Sequence, residues 1–227
     1  MTKVIIFDFD DTITDNSDLD YNSFQHTSKK LKIDTPNKNE IIKLRKRGLM
    51  AKEIVKKHLK KIKKEEILLE YLEIRRKFLH NNSVEHLILK KNFKKLLNYL
   101  KKKKVKIIIC SANNNKTNVL EFLQNHNIKN EFFKILFMNN LGFQIQNDTK
   151  SNRLLIKSSL LYRVIKMDLI RKNEMLFIGN SIEDKMAAKR NKICFVHYQN
   201  KYLPKIKNKK IIYSMNELHI MIKKMGF

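Results

Sequence analysis

The stretch Val4-Ile5-Ile6-Phe7-Asp8-Phe9-Asp10-Asp11-Thr12 decides how the rest of the chain is read. Val4 to Phe7 is a short apolar run of β-branched and aromatic side chains, the composition of a buried strand. Three acids follow within four residues: Asp8, Asp10 and Asp11. A carboxylate resists burial unless something offsets its charge. A buried strand that runs straight into acids therefore predicts a partner for them at its end. Asp8 and Asp10, two apart, can share one ligand where the strand stops.

A buried strand needs a sheet, and the second half of the chain supplies one. Apolar runs at 105–110, 135–138, 175–178 and 193–196, with a short edge run at 211–213, read as strands. Helical periodicity fills the intervals at 83–100, 118–124, 154–167 and 183–190. Residues 143–145 read as a short extension or hairpin arm. Ser214 caps a final helix, with Glu217 completing a capping box. Alternating strands and helices predict an α/β fold: a Rossmann-like, mostly parallel sheet with helices on both faces.

Between the first strand and this region the pattern is helical only, at 19–31, 39–47, 51–59 and 64–79. Pro36-Asn37, Gly48 and Asn81-Asn82-Ser83 punctuate it. The reading is an inserted α-helical domain over residues 15–85, carried by an α/β core of residues 1–14 and 86–227.

Charge and composition narrow the function classes. The 227 residues are 42% hydrophobic, enough to bury a sizeable core. No stretch is long and apolar enough to cross a bilayer, and a secretory leader pattern is missing, so no membrane partner is expected. Cys110 and Cys194 have no metal-ligand spacing and read as buried, reduced thiols, which predicts a cytoplasmic setting. The net charge of +27 attracts polyanions. The lysines are spread along the whole chain, though, so solvated faces are the expectation and specific nucleic-acid binding is not. His26, His58, His80 and His86 show no metal-binding spacing.

In an open parallel sheet, ligands gather beyond the carboxyl ends of the strands. Asp8 and Asp10 follow the first strand, Ser111 follows 105–110, and Asn180 and Asp184 follow 175–178. Lys157 lies a little further along from the third strand, with Lys150 as its rival. Mg²⁺ accepts one or two protein carboxylates together with a phosphate oxygen, so the paired acids predict a magnesium site at which one aspartate attacks phosphorus. The Ser111 hydroxyl and nearby backbone N–H groups suit a phosphoryl oxygen, and Asn113 reads as a cap of the next helix. A fixed ammonium at Lys157 would screen an anionic nucleophile from an anionic substrate. Gly179 reads as allowing a tight turn, and Glu183 or Asp184 as reaching the cation directly or through water.

These features together resemble the haloacid dehalogenase-like phosphatases, in the subgroup with a helical cap that includes phosphoglycolate phosphatase-like proteins. Asp8-Phe9-Asp10-Asp11-Thr12 matches that family's DxDxT signature, Ser111 its second motif and Lys157 its third. Gly179 to Asp184 resembles the fourth, usually GDxxxD, and the insertion resembles the cap. The resemblance implies that Asp8 forms an aspartyl-phosphate, that Asp10 moves protons to and from the reacting oxygens, and that Thr12 positions Asp10. It implies that Ser111, Ala112 and Lys157 hold the phosphoryl group. Mg²⁺ would bind Asp8, the Asp10 backbone carbonyl and the fourth-motif residues Asn180 and Asp184.

The chain departs from the pattern where Asn180 replaces an acid. A neutral amide is a weaker magnesium ligand, which implies tighter magnesium dependence, reduced turnover or a catalytically weakened protein. Asp11 stands where many relatives have Gly. Basic residues at Arg47 and Lys52 are candidates to meet a substrate carboxylate or second phosphate. The expected partner is a small phosphorylated substrate, and the chain a monomer or homodimer. The competing readings are a sugar-phosphate mutase, a basic nucleic-acid-binding protein on the same fold, and a nucleic-acid-end phosphatase.

Overall fold

The computed structural model describes residues 3–113, 115–141, 149–168 and 171–227. A six-stranded sheet runs in the order β5-β4-β1-β6-β7-β8. It is built from β1 (Val4–Phe7), β4 (Lys106–Ser111), β5 (Lys134–Phe137), β6 (Met175–Gly179), β7 (Cys194–Tyr198) and β8 (Ile211–Ile212). All its described pairings are parallel. β2 (Thr14–Asp15) and β3 (Ile88–Leu89) form a separate two-stranded sheet.

The helices are α1 (Ser17–Lys30), α2 (Lys38–Lys46), α3 (Ala51–Lys61), α4 (Leu68–His86) and α5 (Phe93–Lys102). Then come α6 (Lys116–Asn125), α7 (Lys150–Asp168), α8 (Ile182–Asn191) and α9 (Met215–Lys224). The fold is thus a mostly parallel sheet with flanking helices and an inserted helical segment, as the alternation predicts. The expected hairpin arm at 143–145 lies outside the described residues.

β1 owes its central place to its composition. All four of its side chains are buried, as a strand covered on both faces requires. It pairs on one side with β4, Phe7 opposite Ile109, and on the other with β6, Phe7 opposite Ile178. The chain order reverses across β1, which places a topological switch point at the carboxyl end of that strand. One face of the sheet packs Val4, Ile6, Ile108, Cys110 and Phe177 against Leu160, Leu161 and Val164 of α7 and Ala187 and Ala188 of α8.

The chain divides into two compact units. One comprises Met1–Asp15, Leu89–Gln199 and Ile206–Phe227; the other comprises Asn16–Ile88 and Asn200–Lys205. The short return at Asn200–Lys205 falls in the helical unit, whereas the sequence reading placed it with the core. The helical unit has its own apolar centre of Phe24, Ile41, Leu44, Ile54, Val55, Leu59 and Tyr71. Beside it, Asp20 accepts hydrogen bonds from Arg45 Nε at 3.0 Å and Nη2 at 2.7 Å, and also from Arg75. Burial pushes the Asp20 carboxyl up, but Arg45 and Arg75 outweigh it and hold the group below its ordinary range.

Two expected boundaries are wrong. Asn81-Asn82-Ser83 does not end a helix; α4 runs through to His86, with Asn82 Nδ2 donating back to Phe78 O at 2.9 Å. The expected helix over 83–100 is broken by β3, and α5 begins only after Asn92. Ile88 and Leu89 take strand partners at Thr14 and Asp15, and Lys90 N–H donates to Ile13 O at 2.9 Å. Asn92 then adopts a left-handed backbone, φ 66°, which no helix continues through. Apolar periodicity alone does not reveal a partner some seventy-five residues away, the spacing of the Lys90–Asp15 ion pair. Cys194, expected to be buried, is only half-buried and has Lys210 Nζ 3.1 Å from its sulfur.

Candidate active site

The loop after β1 is wound around one carbonyl. The N–H groups of Thr12, Ile13 and Thr14 all point to Phe9 O, at 3.3, 2.9 and 3.3 Å. Phe9 is itself buried, its ring edge-on to Phe122 at 5.7 Å between centroids. Asp11 takes a left-handed backbone, φ 57°, the conformation most easily met by glycine. This winding leaves Asp8 buried at the strand end, Asp10 half-buried and Thr12 fully buried.

Lys157 reaches the same place from α7. It lies two turns into that helix, buried, and its ammonium donates to Asp8 Oδ1. The same nitrogen is 3.0 Å from Asp184 Oδ1 and 3.4 Å from Cys110 O. Lys150, the rival, is exposed at the start of α7. Burial, with Asp184 adding to it, pushes the Asp8 carboxyl up to about 8 against the pull of Lys157. Burial depresses Lys157, but Asp184 and Asp8 outweigh it and the ammonium stays well above its ordinary range. Burial pushes the adjacent Cys110 thiol up to about 12, which leaves it protonated and unreactive.

Asp184 belongs to the first turn of α8 and does two things. Its Oδ2 accepts from the N–H groups of Asn180 and Ser181, at 3.2 and 3.1 Å, and from Ser181 Oγ at 2.7 Å. That is a capping box closed by Ser181 Oγ accepting from Asp184 N at 3.1 Å. Its other oxygen faces Lys157. Glu183, beside it, is half-buried in the same turn. Gly179 does not have the left-handed backbone that would make its flexibility the issue. A Cβ there would stand 2.6 Å from Asp184 Cγ, so the glycine makes room for the capping carboxylate.

Asn180 completes the ring. One terminal atom of its amide is 3.1 Å from Asp8 Oδ2, 3.2 Å from the Asp10 carbonyl oxygen and 3.2 Å from Thr12 Oγ1. The Asp10 carbonyl can only accept, and all three neighbours are satisfied when that atom is the amide nitrogen, donating to them.

From β4, Ser111 is fully buried and its Oγ accepts from Asn113 N–H at 3.0 Å. Asn113 Nδ2 in turn stands 3.1 Å from Asp10 Oδ2 and 3.5 Å from its Oδ1. Asn113 is therefore not the helix cap the sequence suggests. Asn115 caps α6, its Oδ1 accepting from Asn118 N at 3.2 Å, and Asn113 holds Asp10 instead. A run of asparagines gives no signal to tell these roles apart. Ala112 packs half-buried against the apolar core between them.

Asp8, Asp10, Thr12, Ser111, Lys157, Asn180 and Asp184 thus converge within one unit, at the carboxyl ends of β1, β4 and β6. Arg47 and Lys52 belong to the helical unit, exposed just after α2 and in the first turn of α3.

Among the described residues, no group of three or more His, Cys, Asp and Glu side chains could hold a metal ion. The groups here are of another kind: a carboxylate oxygen of Asp8 and the backbone carbonyl of Asp10, both facing the amide end of Asn180. Once the Asn180 amide turns to present its oxygen, these make a mixed set of oxygens of the kind that suits a small hard cation, beside Asp184, which shares the Lys157 ammonium with Asp8. The described helices include none long and apolar enough to cross a membrane.

Comparison with known proteins agrees on the fold. A predicted phosphoglycolate phosphatase from Haemophilus somnus superposes with a TM-score of 0.73 at 17% identity, over 100% of this chain and 98% of that one. A haloacid dehalogenase-superfamily hydrolase of subfamily IA from Geobacter sulfurreducens gives 0.71 at 16% identity, over 97% of this chain and 96% of that one. A predicted phosphatase from Clostridium acetobutylicum gives 0.69 at 14% identity, over 99% of each chain. No curated protein matches the chain. The family model described as haloacid dehalogenase-like hydrolase matches residues 5–198, from β1 to the end of β7. The chain belongs to the haloacid dehalogenase-like hydrolases.

Proposed function

We propose that this chain is a magnesium-dependent phosphomonoester hydrolase that works through an aspartyl-phosphate on Asp8. The observation that carries this reading is the buried Lys157 ammonium held on Asp8, with Asp10 on the same loop and Ser111 and Asn113 beside it. A carboxylate nucleophile divides one hard displacement into two easier ones.

In the first step an Asp8 oxygen attacks phosphorus and the bond to the substrate's ester oxygen breaks. Asp10 gives that oxygen its proton. In the second step Asp10 takes a proton from water, the water attacks the same phosphorus, and inorganic phosphate leaves with Asp8 restored. Lys157 offsets the charge on Asp8 and on the transferring oxygens, and Ser111 Oγ–H and the Ala112 N–H donate to them. Thr12 and Asn113 hold Asp10 in place. Asp8, the Asp10 carbonyl oxygen and the oxygen of Asn180 would hold Mg²⁺, with Asp184 behind them, and the ion supplies charge neutralisation at the phosphoryl group.

The test is a screen of small phosphomonoesters with and without MgCl2, using Asp8→Asn as the control. Turnover that survives that substitution overturns the covalent route. The substrate class proposed is a small phosphorylated metabolite, phosphoglycolate among the first to try because a structural neighbour carries that description. Substrate choice is assigned to Arg47 and Lys52 of the helical unit. Arg47→Ala and Lys52→Ala should reduce kcat/KM more for acidic than for neutral esters, and equal losses would reject the assignment.

The net charge of +27 favours one second reading, a phosphatase acting on nucleic-acid ends. Hydrolysis of terminally phosphorylated oligonucleotides that falls steeply with salt would select it over the metabolite reading.

A further inference from the structure

The amide of Asn180 occupies the place where the loop oxygens converge, and it occupies it as a donor. Its nitrogen lies within 3.2 Å of Asp8 Oδ2, the Asp10 carbonyl oxygen and Thr12 Oγ1. Asn180 itself is buried, its backbone N–H held by Asp184 Oδ2 at 3.2 Å. We propose that Asn180 is a clamp for the metal-free site, holding by hydrogen bonds the same oxygens that a cation would hold by charge. This inference rests on the magnesium reading above for what competes with the clamp, but the clamp itself stands on these distances.

A nitrogen that donates to Asp8 and Asp10 cannot also ligate a metal, because its lone pair is delocalised into the carbonyl. For the side chain to become a ligand, its oxygen must turn to where its nitrogen now sits. Cation binding therefore breaks the clamp, and the cation's apparent affinity is lowered by the bonds that are lost. An acid at position 180 would do the reverse. It would add a further buried negative charge beside Asp8, Asp10 and Asp184, two of which already share the Lys157 ammonium. The metal-free loop would be repelled open and the cation bound more tightly, since affinity for hard cations rises with the number of charged ligands.

The chain thus exchanges affinity for a site that is already assembled before the cation arrives. Asn180 is a positioning residue in this account, acting through Asp8 and the backbone of Asp10.

The experiment compares the full chain with Asn180→Asp and Asn180→Ala, all stripped with a chelator. Thermal melts are read in the metal-free state and magnesium binding by isothermal titration without substrate. Asn180→Asp should melt lower than the natural chain by about 3 °C or more when metal-free. It should also bind Mg²⁺ about tenfold tighter or better. Asn180→Ala should melt lower as well, for want of the donor, but with no gain in Mg²⁺ affinity. Circular dichroism confirms that each variant is folded before it is compared.

An Asn180→Asp protein that melts as high as the natural chain without metal overturns the clamp. Unchanged Mg²⁺ affinity in that variant overturns the competition. If none of the three proteins binds Mg²⁺, the magnesium reading fails, and the metal-free melts still decide the clamp.

Discussion

Lys157 Nζ lies 3.0 Å from Asp184 Oδ1, and the same ammonium donates to Asp8, so one buried charge joins the end of β1 to the first turn of α8. Both carboxylates are nearly sealed from solvent, 7% and 0% exposed in their side chains. Removing the ammonium leaves two buried acids without a counter-charge. Lys157→Met should lower unfolding free energy in urea by about 3–5 kcal/mol and kcat/KM by about 10²–10³-fold. Lys157→Arg should not restore activity, because a planar guanidinium does not meet two carboxylates as a point charge does.

Asp8 makes the metal-free protein sensitive to pH in a stated direction. Its folded pKa of about 8 lies above the ordinary 3.8, so between those values the folded state holds more protons than the unfolded one. The stabilisation this gives is fully present below about pH 4 and is lost as pH rises through about 8. Asp8→Asn should remove that decline. Chelator-treated protein melted from pH 5 to 9, natural chain beside variant, checks it.

Asn113 restrains Asp10 through its amide Nδ2, 3.1 Å from Asp10 Oδ2 and 3.5 Å from Oδ1. Charge-assisted bonds of this kind contribute about 1.5–3 kcal/mol, so Asn113→Ala should cut kcat by about 10–100-fold. KM should change little. A loss confined to KM would mean that Asn113 binds substrate instead.

The helical unit has its own acid-sensitive point. Asp20 sits below its ordinary pKa of 3.8 because Arg45 and Arg75 outweigh the effect of burial. Its contribution is present above pH 4 or so and is lost as pH falls through the depressed value. Asp20→Asn leaves two guanidinium groups sharing no anion and should destabilise the protein by about 3 kcal/mol. The low end of the buried-pair range applies because the carboxylate is 23% exposed. Urea melts at pH 7 measure it.

Gly179→Ala would press a Cβ to within 2.6 Å of Asp184 Cγ and 2.7 Å of its Oδ2. Neither a capping carboxylate nor a strand end can yield without breaking bonds. The expected loss is about 1–3 kcal/mol in stability, with lower activity from the displaced acid. A melt and an activity assay on the same preparation check both.

What the chain's own order determined is the part of the molecule that depends on local composition. Val4 to Phe7 are apolar on both faces, and only the middle of a parallel sheet accepts such a strand. The acids that follow it, and the polar residues after 106–111 and 175–179, had to gather at one edge once the strands ran parallel. Helical periodicity over residues 15–85 marked off an inserted unit for the same local reason; the compact unit comprises Asn16–Ile88 and Asn200–Lys205.

The tertiary structure decided everything that depends on partners far apart in sequence. The motif match chose Lys157 over Lys150, but that its ammonium meets Asp8, 149 residues away, only the folded chain shows. Asn113 became Asp10's support instead of a helix cap because a loop 103 residues earlier came beside it. β3 interrupted an amphipathic pattern because a strand partner was waiting there. Periodicity records which face of an element avoids water. It does not record which atom will stand opposite which, and hydrogen bonds and ion pairs form only at that shorter range.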